Sequence, residues 1–408
     1  MHTAQQSNPE PINAPIRLRI CLFLSRISVT IGSRMMQYNW QHPNWPHFSY
    51  DLSEIHEVLY QYAMEASALS GKFNELTQEN QLDALIDLMV TEAVNTSQIE
   101  GEIFDPEDVR SSVKRELGLS AKPVRDQKAD GIGQLMVSVQ KTFQETLTEP
   151  MLYEWHRMLM SGSRLHSADI GGWRTSADPM QIVSGAMGQE KVHFEAPPSY
   201  EVERHMSGFI QWFNQTDPFH GNVKIVGPVR AAVAHLYFES IHPFEDGNGR
   251  IGRALSEKIL SQELGHPVLL SLSRTLQKNK KNYYRELSFA SHSNSDLDIT
   301  SWIKYFVNVV YQAQQDTREQ IVFVLQKARF WRNVENKLNE RQEKVLQRIF
   351  KAGVAGFEGD LSAQKYMKIS KCSKATATRD LAELLDQGLL VKLPGGGRST
   401  RYKIALSS

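Results

Sequence analysis

The segment from His242 to Arg253 carries residue types that suit phosphate chemistry. Gly247 and Gly249 allow the backbone to approach an anion closely, and the helix predicted to follow them offers free N–H groups and a positive dipole end. Arg250 and Arg253 lie in the first turn of that helix, where their guanidinium groups can hold phosphate oxygens. The segment therefore predicts a site for a phosphate-containing ligand.

Two further residues of the segment could take part in a reaction. Asp246 offers a hard oxygen ligand for Mg²⁺, which normally arrives together with a nucleotide. His242 stands at the other rim, and an imidazole titrates in the range that suits removal of a proton from an attacking hydroxyl. We therefore predict His242 as the catalytic residue and Asp246 as the metal ligand.

Two other phosphate-binding motifs are excluded. Residues 247–252 match G-x-G-x-x-G, but an amphipathic helix, rather than a strand, precedes them, which argues against a dinucleotide-binding fold. No Gly-Lys-Ser/Thr follows, so a P-loop is excluded as well. A plain turn with solvated charges would rarely combine a His, an acid, two Gly and two Arg in this order.

The remaining pattern predicts a mainly α-helical protein with one β-hairpin. Apolar residues recur every three or four positions in Leu82–Ala93, and Gly101 is a predicted helix end. Pro228 begins the helix that leads to His242, and Ile251–Leu264 resumes the helical period. Further helices are predicted at Met151–Ser161, at Asn282–Ala290 and within Ile299–Asn333, and two short runs, Gln181–Val183 and Lys191–Phe194, predict the hairpin.

The segment from Asn339 to Ser408 is predicted to form three helices and a hairpin, the order of a winged helix-turn-helix. It holds thirteen Lys/Arg against seven Asp/Glu, whereas the whole chain is balanced at 46 and 46. Whether it binds DNA or docks on a protein is left open, because no base-reading pattern is present. Basic residues that would suit phosphate contacts lie near the third helix and the wing, at Lys371, Lys374, Arg379, Arg398 and Arg401.

Composition excludes other classes of protein. The 408 residues are 41% hydrophobic, enough for a sizeable core, and the net charge of zero gives no global field toward nucleic acid or a membrane. Cys21 and Cys372 provide no disulfide framework and no Cys-based metal site, as expected for a cytoplasmic protein. No apolar run is long enough to predict a membrane-spanning helix. Residues 1–36 are predicted to be an unstructured extension, with the natural start at Met35 or Met36.

The letters HPFEDGNGRIGR, residues 242–253, resemble the signature of Fic-domain proteins, HxFx(D/E)GNGRxxR, at every defined position. The resemblance extends over Leu52–Asn333: residues 181–185 with Pro197-Pro198 resemble the flap hairpin of the family, and Thr96–Gly101 resembles its inhibitory motif, (S/T)xxxE(G/N). The Trp- and Pro-rich start and the winged-helix end resemble a known bacterial three-part arrangement of this family.

The resemblance implies both a domain organisation and an activity. Residues 37–150 would form an N-terminal helical segment with an inhibitory helix, residues 151–333 the Fic catalytic core with its flap, and residues 339–408 the winged helix-turn-helix. The activity would be that of a protein adenylyltransferase, which moves AMP from ATP, with Mg²⁺, to a Tyr, Thr or Ser hydroxyl of a target protein. Removal of AMP and assembly as a homodimer are left open.

The resemblance also implies roles for individual residues. His242 would be the general base and Asp246 the Mg²⁺ ligand. Tyr283 would line the adenine pocket with Leu287 beside it, and the flap residues Val183, Ser184 and Gly185 would hold the target by strand-like pairing. The nucleotide would be held by residues of the signature, Gly247, Asn248, Gly249, Arg250, Ile251, Gly252 and Arg253, of which Asn248 and the backbone of Gly247–Gly249 would form the anion hole.

Thr96 and Glu100 would be the inhibitory residues. A carboxylate of Glu100 paired with Arg253 would remove a phosphate clamp and repel the γ-phosphate of ATP; the alternative is an ordinary solvated Glu at a helix end. A DNA-binding regulator whose Fic-like core only senses nucleotide is an alternative function, but a sensor needs no base, so an intact His242 favours the enzyme. Transfer of another phosphate-containing group is a third alternative.

Overall fold

A computed structural model describes residues 38–163, 165, 170–184, 191–292, 296–334, 337–353, 357–395 and 400–406. The predicted extension, residues 1–36, lies outside the described residues, as do Gly185 of the predicted flap and Arg398 of the predicted wing.

The described chain is mainly helical, as the sequence predicts, with two short hairpins. Its elements in chain order are α1 (His56–Asn74), α2 (Gln78–Ile99), α3 (Pro106–Glu116), α4 (Gln127–Lys141), α5 (Glu149–Leu159), β1 (Gln181–Ser184), β2 (Lys191–Glu195), α6 (Ser199–Gln215), α7 (Gly227–Ile241), α8 (Asn248–Leu264), α9 (Leu272–Lys278), α10 (Lys280–Ala290), α11 (Thr300–Asn333), α12 (Glu340–Phe350), α13 (Ala363–Ser370), α14 (Lys374–Asp386), β3 (Leu390–Lys392) and β4 (Tyr402–Ile404). None of the helices within the described ranges is long and apolar enough to cross a membrane.

The chain divides into two compact units. One unit comprises the residues up to Ala63 together with Ile86–Ala313, and the other comprises Met64–Leu85 together with Gln314–Ser408. The domain boundaries that the sequence predicts are not tested by this division and stay predictions.

Helices α7 and α8 form the centre of the first unit. Every residue of α7 is buried, including the polar Arg230 and His235, so the amphipathic helix predicted from the sequence has no solvent-exposed face. A proline in its first turn suits the helix start, because proline lacks the N–H that would be unpaired there. Helix α8 begins at Asn248, three residues before the predicted Ile251, because Gly247 takes a left-handed conformation (φ +86°) and starts the helix immediately after it.

The hairpin of the first unit is confirmed as predicted. Strands β1 and β2 are antiparallel, with Gln181 opposite Glu195 and Ile182 opposite Phe194. The register shifts after Ile182, so that Val183 faces Val192.

In the second unit, the C-terminal part of the chain forms α12 to α14 and then the antiparallel pair β3–β4, in the order that the sequence predicts. Its core includes Val345, Leu346, Tyr366, Leu381 and Leu384, which are all at most 2% exposed. The assignment of this unit as a winged helix-turn-helix stays a prediction.

Candidate active site

The loop between α7 and α8 is closed by one asparagine. The Asn248 side chain donates to the Phe244 carbonyl (2.8 Å) and accepts from the Phe244 N–H (2.9 Å). A side chain at Gly247 would be strained by its positive φ and would also meet Leu159 and Met160. The Asn248 side chain therefore stabilises the loop. The backbone N–H groups at the start of α8 are available to bind an anion.

Arg253 is buried in this site, with 1% of its surface exposed. Its Nε donates to the Thr96 hydroxyl (2.7 Å), and its Nη2 donates to the Thr96 carbonyl (3.0 Å) and to Glu100 Oε1 (2.7 Å). Its Nη1 is buried and makes no hydrogen bond with any described residue. An unpaired buried donor costs about 1–3 kcal/mol, so such an atom calls for a ligand.

Arg250 shows the same pattern, with 4% of its surface exposed. Its Nη1 contacts Glu102 Oε2 at 2.5 Å and its Nη2 contacts Asp246 Oδ1 at 3.2 Å. Its Nε is buried without a partner in the described part of the chain. Both predicted phosphate clamps thus carry an unused guanidinium donor.

Glu100 occupies the start of α8. It follows the last residue of α2, and Gly101 (φ +87°) turns the chain immediately after it, as predicted. A side chain at Gly249 would collide with its Oε1, so only glycine admits the carboxylate there. Burial alone would raise the pKa of Glu100, but Arg253, Arg250 and Lys280 outweigh burial and lower it, so the carboxylate is ionised. A negative group therefore lies where α8 attracts anions.

A second carboxylate of the same segment was not predicted from the sequence. Glu102 contacts Arg250 through one oxygen and Lys128 through the other, both at 2.5 Å. The only signal for it was an acidic residue two positions after Glu100. Residues 100 and 102 together contact both arginines of the signature.

His242 ends α7 in a left-handed conformation (φ 51°, ψ 60°), which is uncommon for a non-glycine residue. It is 3% exposed, and its Nε2 makes no hydrogen bond to a described residue. Burial lowers the pKa of its ring to about 4, and Arg174 acts in the same direction, while the Glu239 backbone and Glu100 oppose the change. The ring is therefore neutral near pH 7, as a proton acceptor must be.

Arg174, which was not predicted from the sequence, is buried and supports this conformation. Its Nε donates to the His242 carbonyl (2.8 Å), its backbone N–H donates to the Pro243 carbonyl (2.8 Å), and its Nη2 donates to the Pro197 carbonyl. It thus links the strained turn to the residues that follow β2.

Asp246 suits a metal ion that arrives with phosphates, rather than a metal site made of protein ligands alone. Its side chain is 46% exposed, and its Oδ1 accepts from the Gly247 N–H at 2.5 Å. The described residues contain no group of three His, Cys, Asp or Glu side chains that could hold a metal ion. Mg²⁺ commonly takes one or two carboxylates and completes its shell with water and substrate phosphates, which one Asp satisfies.

The remaining predicted site residues are more scattered. Tyr283 is 1% exposed, and its hydroxyl lies 2.8 Å from His235 Nε2. Its neighbour Tyr284, which sequence reasoning missed, is the tyrosine whose hydroxyl approaches Glu100, at 3.4 Å. Leu287, Ile251 and Gly252 are buried, Val183 is half-buried on β1, and Ser184 pairs in register with Lys191.

Two parts of the chain match known family models. Residues 146–260 match the family model described as the Fic/DOC family. The chain contains a Fic/DOC domain. Upstream of the Fic/DOC domain, residues 38–119 match the model of a domain of unknown function, DUF4172.

The chain is also similar to individual proteins and to a solved structure. The protein adenylyltransferase Fic of Nematostella vectensis is 26% identical over 217 residues, which cover 52% of this chain and 44% of that protein. A probable protein adenylyltransferase of Aquifex aeolicus is 29% identical over 133 residues, 32% of this chain and 35% of that protein. The chain thus spans less than half the length of these relatives. The crystal structure of a Fic family protein from Desulfovibrio desulfuricans covers 88% of this chain and 98% of its own, at 18% identity and a TM-score of 0.48.

Proposed function

We propose that the chain is a protein adenylyltransferase that moves AMP from ATP to a Tyr, Thr or Ser hydroxyl of a target protein. The observation that carries the proposal is the pair of buried guanidinium atoms, Arg250 Nε and Arg253 Nη1, that lack a partner within the described residues beside the start of α8. A helix N-terminus with two arginines suits a polyphosphate, and the relatives above are named a protein adenylyltransferase and a probable protein adenylyltransferase.

The reaction follows from the position of a neutral base at the same loop. His242 accepts the proton of the target hydroxyl while the hydroxyl oxygen bonds to the α-phosphorus of ATP. The bond from the α-phosphorus to the bridging oxygen breaks, and pyrophosphate leaves with the electron pair. Mg²⁺ held by Asp246 would neutralise phosphate charge, and Arg250 and Arg253 would hold the outer phosphates in place.

The same proposal includes inhibition by the segment that follows α2. Glu100 contacts Arg253 at 2.7 Å and presses its carboxylate against Gly249, so it competes with phosphate for both the arginine and the helix start. Glu102 contacts Arg250 and would act in the same direction. ATP can therefore bind productively only when this segment moves or is altered. A DNA site on α14 stays a prediction from its exposed basic residues.

Label position tests the activity. The Glu100→Gly chain with Mg²⁺ is incubated with ATP labelled at either the α- or the γ-phosphate, and protein-bound label is measured, with mass spectrometry of the modified residue. We expect label from the α-phosphate only, with one AMP on a Tyr, Thr or Ser. Label from the γ-phosphate would show phosphate transfer instead, and no label with ATP bound would favour nucleotide sensing.

A further inference from the structure

A buried carboxyl group lies next to the ring of His242. Glu239 precedes His242 by one turn of α7 and is 7% exposed. Its Oε2 lies 3.7 Å from His242 Nδ1, and its Oε1 is buried without a hydrogen bond to any described residue. Glu239 lies outside the signature, which therefore does not explain why this acidic residue is buried.

The structure keeps space for this carboxyl group. A Cβ built at Gly252 would lie 2.8 Å from Glu239 Oε1 and 3.3 Å from the ring of His235. Gly252 is one of the undefined positions of the signature, so the signature does not demand glycine there. A larger residue at this position of α8 would collide with the Glu239 carboxyl group on α7, which explains why position 252 is a glycine.

We propose that Glu239 is the positioning residue of His242: its carboxylate fixes the ring through Nδ1 and balances the positive charge that the ring gains on accepting the proton of the target hydroxyl. This role rests on the proposed function. With Nδ1 directed to Glu239, the other nitrogen, Nε2, is left to accept the proton. The carboxylate holds the ring in the tautomer that the reaction needs, as carboxylates do beside other histidine bases.

The burial of His242 explains why such a partner matters. A ring whose pKa is lowered to about 4 is a weak proton acceptor, because its charged form is poorly solvated. A carboxylate at Nδ1 favours the charged form and so offsets the cost when the proton arrives. Glu239→Gln removes this charge and leaves the Glu239 backbone, which also favours the charged ring, in place.

Glu239 also connects the base to the inhibitory carboxylate. Burial raises the pKa of Glu239 to about 8, and the charge of Glu100 acts in the same direction, while Arg253 opposes it. The other titratable groups that face it are His235 and His242 on α7 and Tyr283 and Tyr284 on α10. With Glu100 docked, Glu239 is mostly protonated at neutral pH and cannot balance the ring; removal of Glu100 lowers its pKa.

The test uses the full-length Glu100→Gly chain as the parent, with further changes Glu239→Gln, Glu239→Asp and Gly252→Ala. Transfer of α-labelled AMP is measured against pH and ATP concentration. Because a raised pKa means that the carboxylate forms as pH rises, kcat of the parent should increase with pH through a limb with its midpoint below about 8.

For Glu239→Gln we expect kcat to fall roughly 10- to 100-fold at pH 8, the limb to disappear and KM for ATP to stay unchanged. Glu239→Asp should recover part of kcat and keep the limb. Gly252→Ala, which displaces the carboxyl group without removing it, should lower kcat by a smaller factor. Thermal unfolding and ATP binding of each chain verify that it is folded.

The outcomes separate the two proposals. If the parent transfers AMP but Glu239→Gln keeps its kcat and pH profile, the positioning role is wrong and the proposed function stands. A change in KM alone, or an Asp chain no better than the Gln chain, would also overturn the role. If the parent transfers no AMP at all, the proposed function fails and this role fails with it.

Discussion

Both compact units bury a carboxylate against an arginine, and the difference between the two pairs shows which one is made for a ligand. In the second unit, Asp380 of α14 accepts from Arg341 Nε and Nη2 at 2.9 and 3.1 Å and from the Tyr366 hydroxyl at 2.9 Å. The protein alone supplies this carboxylate with partners. It joins α12, α13 and α14, which is a structural role.

In the first unit, the pair of Glu100 and Arg253 is incomplete. Arg253 Nη1 lacks a partner, as do Arg250 Nε and Nε2 of His242, in the part of the chain that the structure describes. Unpaired buried atoms are costly, and several at one loop indicate that a substrate completes them. The Asp380–Arg341 pair therefore stabilises the fold, whereas the unpaired groups of the first unit are available to bind a substrate.

The largest expected effect follows from removing the incomplete arginine. In the Glu100→Gly chain, Arg253→Ala should weaken ATP binding roughly 10- to 100-fold, because a charge-assisted hydrogen bond contributes about 1.5–3 kcal/mol. Titration calorimetry with ATP measures the change. Arg329→Ala is the matched control, since Arg329 is 52% exposed in a surface pair with Glu75 and should leave binding unchanged. Equal affinity in the two chains would contradict the assignment of Arg253.

Unfolding with and without ATP compares the two pairs directly. Glu100→Gly should lower the free energy of unfolding by about 3 kcal/mol, because Arg253 stays buried without its partner, and saturating ATP should restore most of it. Asp380→Asn should cost about 1–3 kcal/mol through its lost hydrogen bonds, with no comparable recovery. Equal gains with ATP in both chains would show that Glu100 and Asp380 do not differ in this way.

The pH dependence of the structural pair has a defined sign. Burial would raise the pKa of Asp380, but hydrogen bonds from Arg341 and Tyr366 and the charge of Arg341 outweigh it and lower the pKa. Its contribution to stability is therefore present above the ordinary Asp value of about 4 and is lost as the pH falls through the lowered value. Asp380→Asn should show no such loss.

A smaller effect is expected at Glu102. In the Glu100→Gly chain, Glu102→Gln should strengthen ATP binding about 3- to 10-fold, because Arg250 loses a competing carboxylate. Calorimetry again measures the change, and Glu75→Gln is the control for loss of an exposed carboxylate from an ion pair. Weaker binding in the Gln chain would show instead that Glu102 orients Arg250 for phosphate.

The sequence predicted the parts of the site that are local in the chain. The signature places His242, the glycines and both arginines within twelve residues, so a single loop and one helix turn bring them together. Thr96 and Glu100 lie about 150 residues away, and only the resemblance to a family predicted that Glu100 would pair with Arg253. The contact of Thr96 with Arg253 was found in the structure.

The residues that were missed act across elements. Arg174, Glu239 and Tyr284 belong to three separate segments, and their contacts depend on packing that periodicity does not encode. Glu239 had a weak signal, since it is the one acidic residue of α7 and lies one turn before the base. The helical period of α8 was recognised only from Ile251, although Arg250 was already placed in its first turn, because Asn, Gly and Arg at the helix start show no apolar period.

The most direct test of the account compares AMP transfer from α-labelled ATP by the intact chain, by Glu100→Gly and by Glu100→Gly with His242→Ala. We expect Glu100→Gly to label protein at least about 10-fold faster than the intact chain. Competition by Glu100 for the phosphate site needs to cost ATP only about 1.4 kcal/mol of binding free energy to produce that factor. Loss of the base should then reduce labelling roughly 10²- to 10⁴-fold. Labelling that is as fast without His242, or that does not rise without Glu100, would contradict a site held closed by its own carboxylate.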